Sequence, residues 1–245
     1  MKITVLTLFP EMILPFFSSS IMKRAVEKGI VEYEIVDFRD YSSGSYNKVD
    51  DLPYGGGAGM VLMPEPLSKA IEDRKSPSSR VIFPSPGGRL FNQEMAQELS
   101  REDDLLFICG HYEGLDRRII DEYVDDEISI GDYVLTSGET ASIVIIDALF
   151  RLIDGVISKD SLEDESFNSS LLEYDQYTRP ERYCNSSVPS VLLSGNHALI
   201  CSWRDDNRIA KTMHSRPDML SEASLSLRMR RKLIKIIDEI GIEDL

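Results

Sequence analysis

The first roughly 150 residues alternate strand-length apolar runs with segments of helical period, and this alternation constrains the fold more than any other feature. Strand, helix and strand in regular succession is the pattern of a parallel sheet with helices packed on its faces. The runs Ile3–Leu8, Val31–Phe38, Arg80–Phe83, Leu105–Cys109 and Ile128–Leu135 read as the strands. Between them, "SSSIMKRAVEKG" opens on serine and stops at Gly29, "PEPLSKAIEDR" carries an early Pro-Glu, and "NQEMAQELS" and "LDRRIIDEYV" keep the helical period. The apolar "ETASIVIIDALFRLI" predicts a helix that closes this unit. The opening "MKITVLTLFPEM" reads as a first buried strand, because Pro10-Glu11 interrupts the apolar run and no small-residue cleavage pattern follows. The later run "ASIVIIDALF" is broken by Asp147 and too short to span a bilayer, so no membrane partner is expected.

After Gly155 the pattern changes. "SKDSLEDESFNSSLLEYDQYTRPERY" is polar, acidic and without a clear period, which places a linker over residues 158–177 between an α/β domain (1–157) and a small helical domain (178–245). The helices expected there lie in "SGNHALICSWRDDNRIAKTM" and "SEASLSLRMRRKLIKIIDEI". A formal net charge of −15 argues against a protein that coats nucleic acid without specificity, since phosphate binding needs clustered Lys and Arg. The charge is uneven, however. From Cys201 to Lys235 there are nine basic residues and four acidic ones, either a solvated helix face or a basic footprint on an acidic protein. Three cysteines with no short spacing signal neither a disulfide framework nor a zinc site, and they fit a reducing cytosol.

Three of the strands end in glycine-punctuated loops, "FPSPGGRL", "CGHYEGLD" and "SIGDYVLTSGE", where α/β proteins place ligands beyond the carboxyl ends of their strands. A fourth glycine cluster, "DDLPYGGGAGM", matches neither the Gly-Lys-Ser/Thr phosphate loop nor the Rossmann spacing, which weakens a nucleoside triphosphate or NAD reading. Each loop alone is an ordinary turn more often than a site. Three together at strand ends point to a ligand.

The segments "LTLFPEM", "PYGGGAGM", "CGHYEGLDRR", "SIGDYVLTSGE", "YTRPE" and "VLLSGNH" occur in this order. Together they resemble the bacterial tRNA (guanine-N1)-methyltransferase family, TrmD, of the SPOUT class of knotted methyltransferases. The resemblance runs from Ile3 to about Leu220. It implies an α/β domain tied in a deep C-terminal trefoil knot, a small all-helical C-terminal domain, and a cytoplasmic homodimer with active sites between subunits. It also implies S-adenosylmethionine as methyl donor, tRNA as substrate, and N1 of the guanosine immediately 3′ of the anticodon as the target.

Residue by residue, the resemblance assigns the cofactor to Ser85 and Pro86 in the first loop, to Gly110, Tyr112, Glu113 and Gly114 in the second, and to Ile130, Gly131, Tyr133, Leu135 and Gly138 in the third. It explains the glycines by close backbone contacts to the adenine and ribose; Ser137 stands where the family usually has glycine. The family's general base is the aspartate of an Asp-Ser-Phe triplet, and here the triplet is Glu165-Ser166-Phe167, preceded by Asp164. A carboxylate is needed because guanine N1 carries a proton at neutral pH and is a poor nucleophile until it leaves. Arg151 matches the active-site arginine; read alone it is a helix C-terminal cation. Asp50 is matched with a guanine edge, and Arg204, Arg208, Lys211 and Arg216 with the tRNA backbone, His197 and Trp203 standing near them. His111 receives no catalytic part. The magnesium dependence associated with the family would fall to acids and tRNA, since the three histidines are scattered. A non-catalytic tRNA-binding protein keeping the fold is the competing reading, encouraged only by glutamate at position 165.

Overall fold

In the computed structural model, strands β1 (Lys2–Thr7), β2 (Glu32–Asp37), β5 (Arg80–Leu90), β6 (Asp104–Ile108) and β7 (Asp126–Ser129) form one sheet in the order β2-β1-β6-β5-β7, with every pairing parallel. The described residues are 1–43, 46–157, 166–167, 171–223 and 225–240. Two short strands, β3 (Asp50–Asp51) and β4 (Val61–Leu62), pair antiparallel outside the sheet and bracket the glycine-rich loop. The chain divides into two compact units, residues 1–157 and 158–245.

Parallel strands are covered on both faces and so read as continuous apolar runs. Central β6 is buried at all five positions. Its side chains alternate between two cores, as the period of a strand requires. Leu105 and Phe107 join Ile3, Val5, Ile82 and Ile128 against helices α1 (Pro10–Phe17), α2 (Ser20–Glu27), α4 (Gln93–Leu99) and α6 (Gly138–Leu152). Leu106 and Ile108 join Leu6, Val81 and Phe83 against α3 (Pro64–Arg74) and α5 (Arg117–Tyr123).

Several elements differ from the sequence expectation. β7 stops at Ser129 and does not continue to Leu135, because its neighbour β5 breaks register between Pro84 and Arg89 and resumes with Arg89 opposite Ile128 and Leu90 opposite Ser129. Strand β5 is accordingly longer than expected, with Ser85 to Gly88 standing out of the ladder. Helix α1 was not expected: Pro10 was taken as an interruption, yet it sits at the start of a helix, where its fixed φ and missing N–H suit the first turn.

At the amino ends of β5 and β7, Arg80 donates to Asp126 at 2.5 and 3.2 Å and also pairs with Glu98 (2.8 Å) and Glu102 (3.1 Å). These partners, Asp126 first, raise its pKa above the ordinary arginine value. The cluster ties the end of α4 to both strands. Its guanidinium remains partly exposed, so Arg80→Met is expected to cost about 1–3 kcal/mol, less than the 3–5 of a fully buried broken pair. Urea unfolding measures this; an unchanged midpoint would mean that the three acids lose nothing with their shared cation.

The second unit contains a two-stranded hairpin, β8 (Arg182–Tyr183) and β9 (Ser186–Ser187), which the all-helical expectation lacked. Among the described residues its helices are α7 (Ser190–Leu193), α8 (His197–Ser215), α9 (Pro217–Glu222) and α10 (Leu227–Ile240). Asn196 caps α8 by accepting from the N–H groups of Ala198 and Leu199. Residues 171–175, expected as linker, pack onto α8: Leu171 and Tyr174 are buried, Leu172 donates its N–H to Thr212 and Asp175 its own to Asn207.

Candidate active site

At the register break of β5 and beyond the carboxyl ends of β6 and β7, three loops enclose a cleft of about 370 Å³. All the residues assigned to the cofactor line it: Ser85 and Pro86 from the first loop, Gly110, Tyr112, Glu113 and Gly114 from the second, and Ile130, Gly131, Tyr133, Leu135 and Gly138 from the third. The first loop is shaped from within. Ser85 donates to Glu127 (2.6 Å) and accepts from the N–H of Gly87, while a Cβ on Gly88 would stand 2.4 Å from the Glu127–Ile128 backbone.

The glycines of the third loop answer to the protein's own chain before any ligand. A Cβ on Gly138 would lie 2.5 Å from the Gly110 nitrogen and 3.0 Å from the Cys109 Cα, and the Gly138 N–H donates to the Gly110 carbonyl at 2.8 Å. Gly131 has φ +148°, and a Cβ there would strike the ring of Tyr133. The protein's own chain already excludes a Cβ at both: one glycine lets the start of α6 cross the end of β6, and the other lets the chain turn beneath Tyr133. Ser137, just before that crossing, is buried at the edge of the cleft with no hydrogen-bond partner for its hydroxyl among the described residues.

Tyr112 has a left-handed backbone (φ +57°), which costs a non-glycine residue roughly 1–2 kcal/mol. Its neighbour His111 is held by a hydrogen bond of 2.8 Å between Nε2 and the Glu139 carboxylate, a contact to a charged group worth about 1.5–3 kcal/mol. The anchor is therefore of a size to offset the strain. Glu139 is completely buried in the first turn of α6, and its other oxygen accepts from Thr7 at 2.5 Å. Burial first, and then this carboxylate, pushes the nearby Cys109 thiol well above its usual range, which leaves it an inert core group. Sequence reading missed Glu139. Its only signal was an acid at a helix start, the commonest of surface positions.

The glycine-rich loop docks on the second cleft loop. Glu113 donates its N–H to Met60 and Leu62 donates its own to Gly114, while Gly59 leaves room for the Glu113 carboxylate. Asp50 stands at the base of this loop, opposite Leu62 in the β3–β4 pair.

Arg151, in the same unit, is not among the residues that line the cleft. It lies in the last turn of α6, exposed, thirteen residues beyond Gly138 and so about 20 Å along the helix axis from it. Glu165 and Asp164 lie outside the described residues. In the second unit, Arg208 is buried, and its guanidinium and that of Arg204 lie 5.2 and 4.5 Å from the Tyr174 ring. Lys211 pairs with Asp175 and Arg216 with Asp218. The expectation that these four reach out to phosphates is corrected at Arg208, which is packed into its own unit, and the others are engaged within it. His197 is exposed at the start of α8, and Trp203 meets Tyr177 edge-on at 6.1 Å. Helix α10 carries further exposed cations at Arg228, which pairs with Asp205, and at Arg230, Arg231 and Lys235. Among the described residues no three His, Cys, Asp or Glu side chains gather as a metal site, and no helix is long and apolar enough to cross a membrane.

Comparison with known proteins bears on the same residues. The family described as tRNA (Guanine-1)-methyltransferase TrmD matches residues 1–222. A tRNA (guanine-N(1)-)-methyltransferase of Treponema denticola is 54% identical over 243 residues, covering 99% of this chain and 100% of the relative. Proteins of the same name from Staphylococcus epidermidis (52% over 235 residues, 95% and 96% of the two chains) and Caldicellulosiruptor saccharolyticus (50% over 236, 96% of each) are similarly close. With the match spanning the whole α/β unit and its three cleft loops, this chain belongs to the tRNA (guanine-1)-methyltransferase family TrmD.

Proposed function

We propose that this enzyme transfers the methyl group of S-adenosylmethionine to N1 of the guanosine immediately 3′ of the anticodon in tRNA, with Glu165 removing the N1 proton. The observation that carries this reading is the convergence of all the assigned cofactor residues from three separate loops on one cleft, in a chain whose relatives are named for that reaction. The residues fit the donor. The cleft volume falls within the roughly 300–1,000 Å³ of small-molecule sites. Tyr112 and Tyr133 offer aromatic faces, and Glu113 a carboxylate for the ligand's ammonium group. When bound, S-adenosylmethionine supplies a methyl group on a sulfonium, activated for in-line displacement.

The chain's part is to orient and to move one proton. Glu165 takes the proton from N1 as the C–N bond forms, so that the guanine leaves neutral and the sulfur retains the electron pair of the broken C–S bond. Arg151 offsets the charge that gathers on the guanine carbonyl oxygen as the proton leaves. Because Arg151 stands about 20 Å from Gly138 on its own helix, this role requires a homodimer in which one subunit's Arg151 serves the other's cleft. A deep C-terminal trefoil knot belongs to the same reading, supported by the tight passage of Gly138 across Cys109–Gly110. Asp50 reads a guanine edge from beside the cleft. The tRNA backbone is met by the second unit, with exposed α10 cations added to Arg204, Lys211 and Arg216. A tRNA substrate places the enzyme in the cytoplasm.

The test is transfer of labelled methyl from S-adenosylmethionine to two tRNA transcripts that differ only in guanosine or adenosine 3′ of the anticodon. Transfer to the guanosine transcript alone is expected. Equal transfer to both would move the target to another position, and transfer to neither, with the cofactor bound, would favour the non-catalytic reading.

A further inference from the structure

The Thr7, Glu139 and His111 side chains join three elements: the end of β1, the first turn of α6, and the second cleft loop. Thr7 donates to one Glu139 oxygen and accepts from the N–H of Phe9, and the Phe9 ring lies 4.8 Å from that of His111. Glu139 is wholly buried and Thr7 likewise, while His111 lines the cleft. A buried carboxylate is costly to keep, and an apolar residue would fill the same space in a core of leucines and isoleucines. What the carboxylate does that leucine cannot is hold an imidazole. The residue after that imidazole is Tyr112, in the left-handed conformation, and the next is Glu113; both project into the cleft. Strained backbone persists only where its surroundings over-determine it.

We infer that Glu139 is a positioning residue that acts through His111, fixing the second loop in the strained shape that presents Tyr112 and Glu113 to the methyl donor. The identity of that donor rests on the function proposed above. The geometry of the clamp does not.

Glu139→Ala, His111→Ala and the double variant separate this role from plain core packing. In the free protein, amide hydrogen exchange at Glu113 and Gly114, whose N–H groups bond to Met60 and His111, should become faster in each single variant and no faster again in the double. Calorimetry should give S-adenosylmethionine about tenfold weaker binding in each single variant, with the double equal to the singles, because two residues that act in series share one effect. Glu139→Gln keeps the acceptor for Thr7 and a polar group facing His111, and should recover most of the affinity. Additive losses in the double variant, or a lowered unfolding midpoint with loop exchange and affinity unchanged, would overturn the inference and leave Glu139 a packing residue. If the unaltered protein binds no S-adenosylmethionine, the functional reading fails, and the exchange result alone decides the clamp.

Discussion

Gly138→Ala is expected to lower unfolding free energy by about 3 kcal/mol, the upper end of ordinary overpacking, and to weaken S-adenosylmethionine binding at least about tenfold. The new methyl would meet the Gly110 nitrogen at 2.5 Å and the Cys109 carbons at 3.0 and 3.1 Å, all of them backbone. A flexible side chain could rotate away. A strand end cannot, and the 2.8 Å bond from Gly138 N–H to the Gly110 carbonyl pins the two segments together. Separating them moves Gly110 and the first turn of α6, and both line the cleft, so stability and affinity fall together. Gly55→Ala is the control. It also places a methyl on a glycine, at φ +87°, but nothing lies within 4 Å, so only the backbone cost of roughly 1–2 kcal/mol applies and the cleft is untouched. Urea unfolding and calorimetry on both variants read the contrast. Losses at Gly138 no larger than those at Gly55 would show that the crossing at Cys109–Gly110 yields to the added methyl and is not what the glycine serves.

The same position marks where sequence reading stopped. The sheet was legible because strands buried on both faces carry unbroken apolar runs, as in Leu105 to Cys109, and the helices between them have their own starts and stops. Position 138 could be recognised as needing glycine, but the cause could not: a ligand and a crossing chain segment exclude a Cβ alike. The end of β7 was misread for a related reason. Ile130, Tyr133, Val134 and Leu135 have strand propensity, yet their neighbouring strand has shifted register and their apolar surface faces the cleft. Helix α1 was hidden by its first residue, since Pro10 signals both an interruption and a helix start. Glu139 was illegible because burial of an acid depends on Thr7 and His111, which lie 132 and 28 residues away in sequence. Arg208 failed in the opposite direction: a cation on an amphipathic helix reads as exposed, and its burial rests on Tyr174, inside a stretch whose composition suggested only a linker.

Glu165→Gln is expected to reduce turnover by about 10²–10⁴, the usual share of a positioned general base, while leaving S-adenosylmethionine affinity within about twofold. The amide keeps the size and much of the hydrogen bonding of the carboxylate but cannot accept the N1 proton. On the proposed function the donor is held by loops of the α/β unit and the base is Glu165, outside those loops in sequence, so chemistry and cofactor binding should separate cleanly in this variant. Glu165→Asp tests reach. If the shorter carboxylate of the family's usual triplet serves equally well, turnover stays within about tenfold of the parent, and the extra methylene is accommodated without a dedicated pocket. Asp164→Asn completes the set. It should lose little, because the proposed base is Glu165 and proton transfer needs heavy atoms within about 3 Å. Single-turnover methyl transfer to the guanosine transcript measures all three variants without interference from product release. The reverse ranking, with Asp164→Asn nearly inactive and Glu165→Gln active, would transfer the base to Asp164 and would mean that the linker of this chain is shifted by one residue against the family triplet.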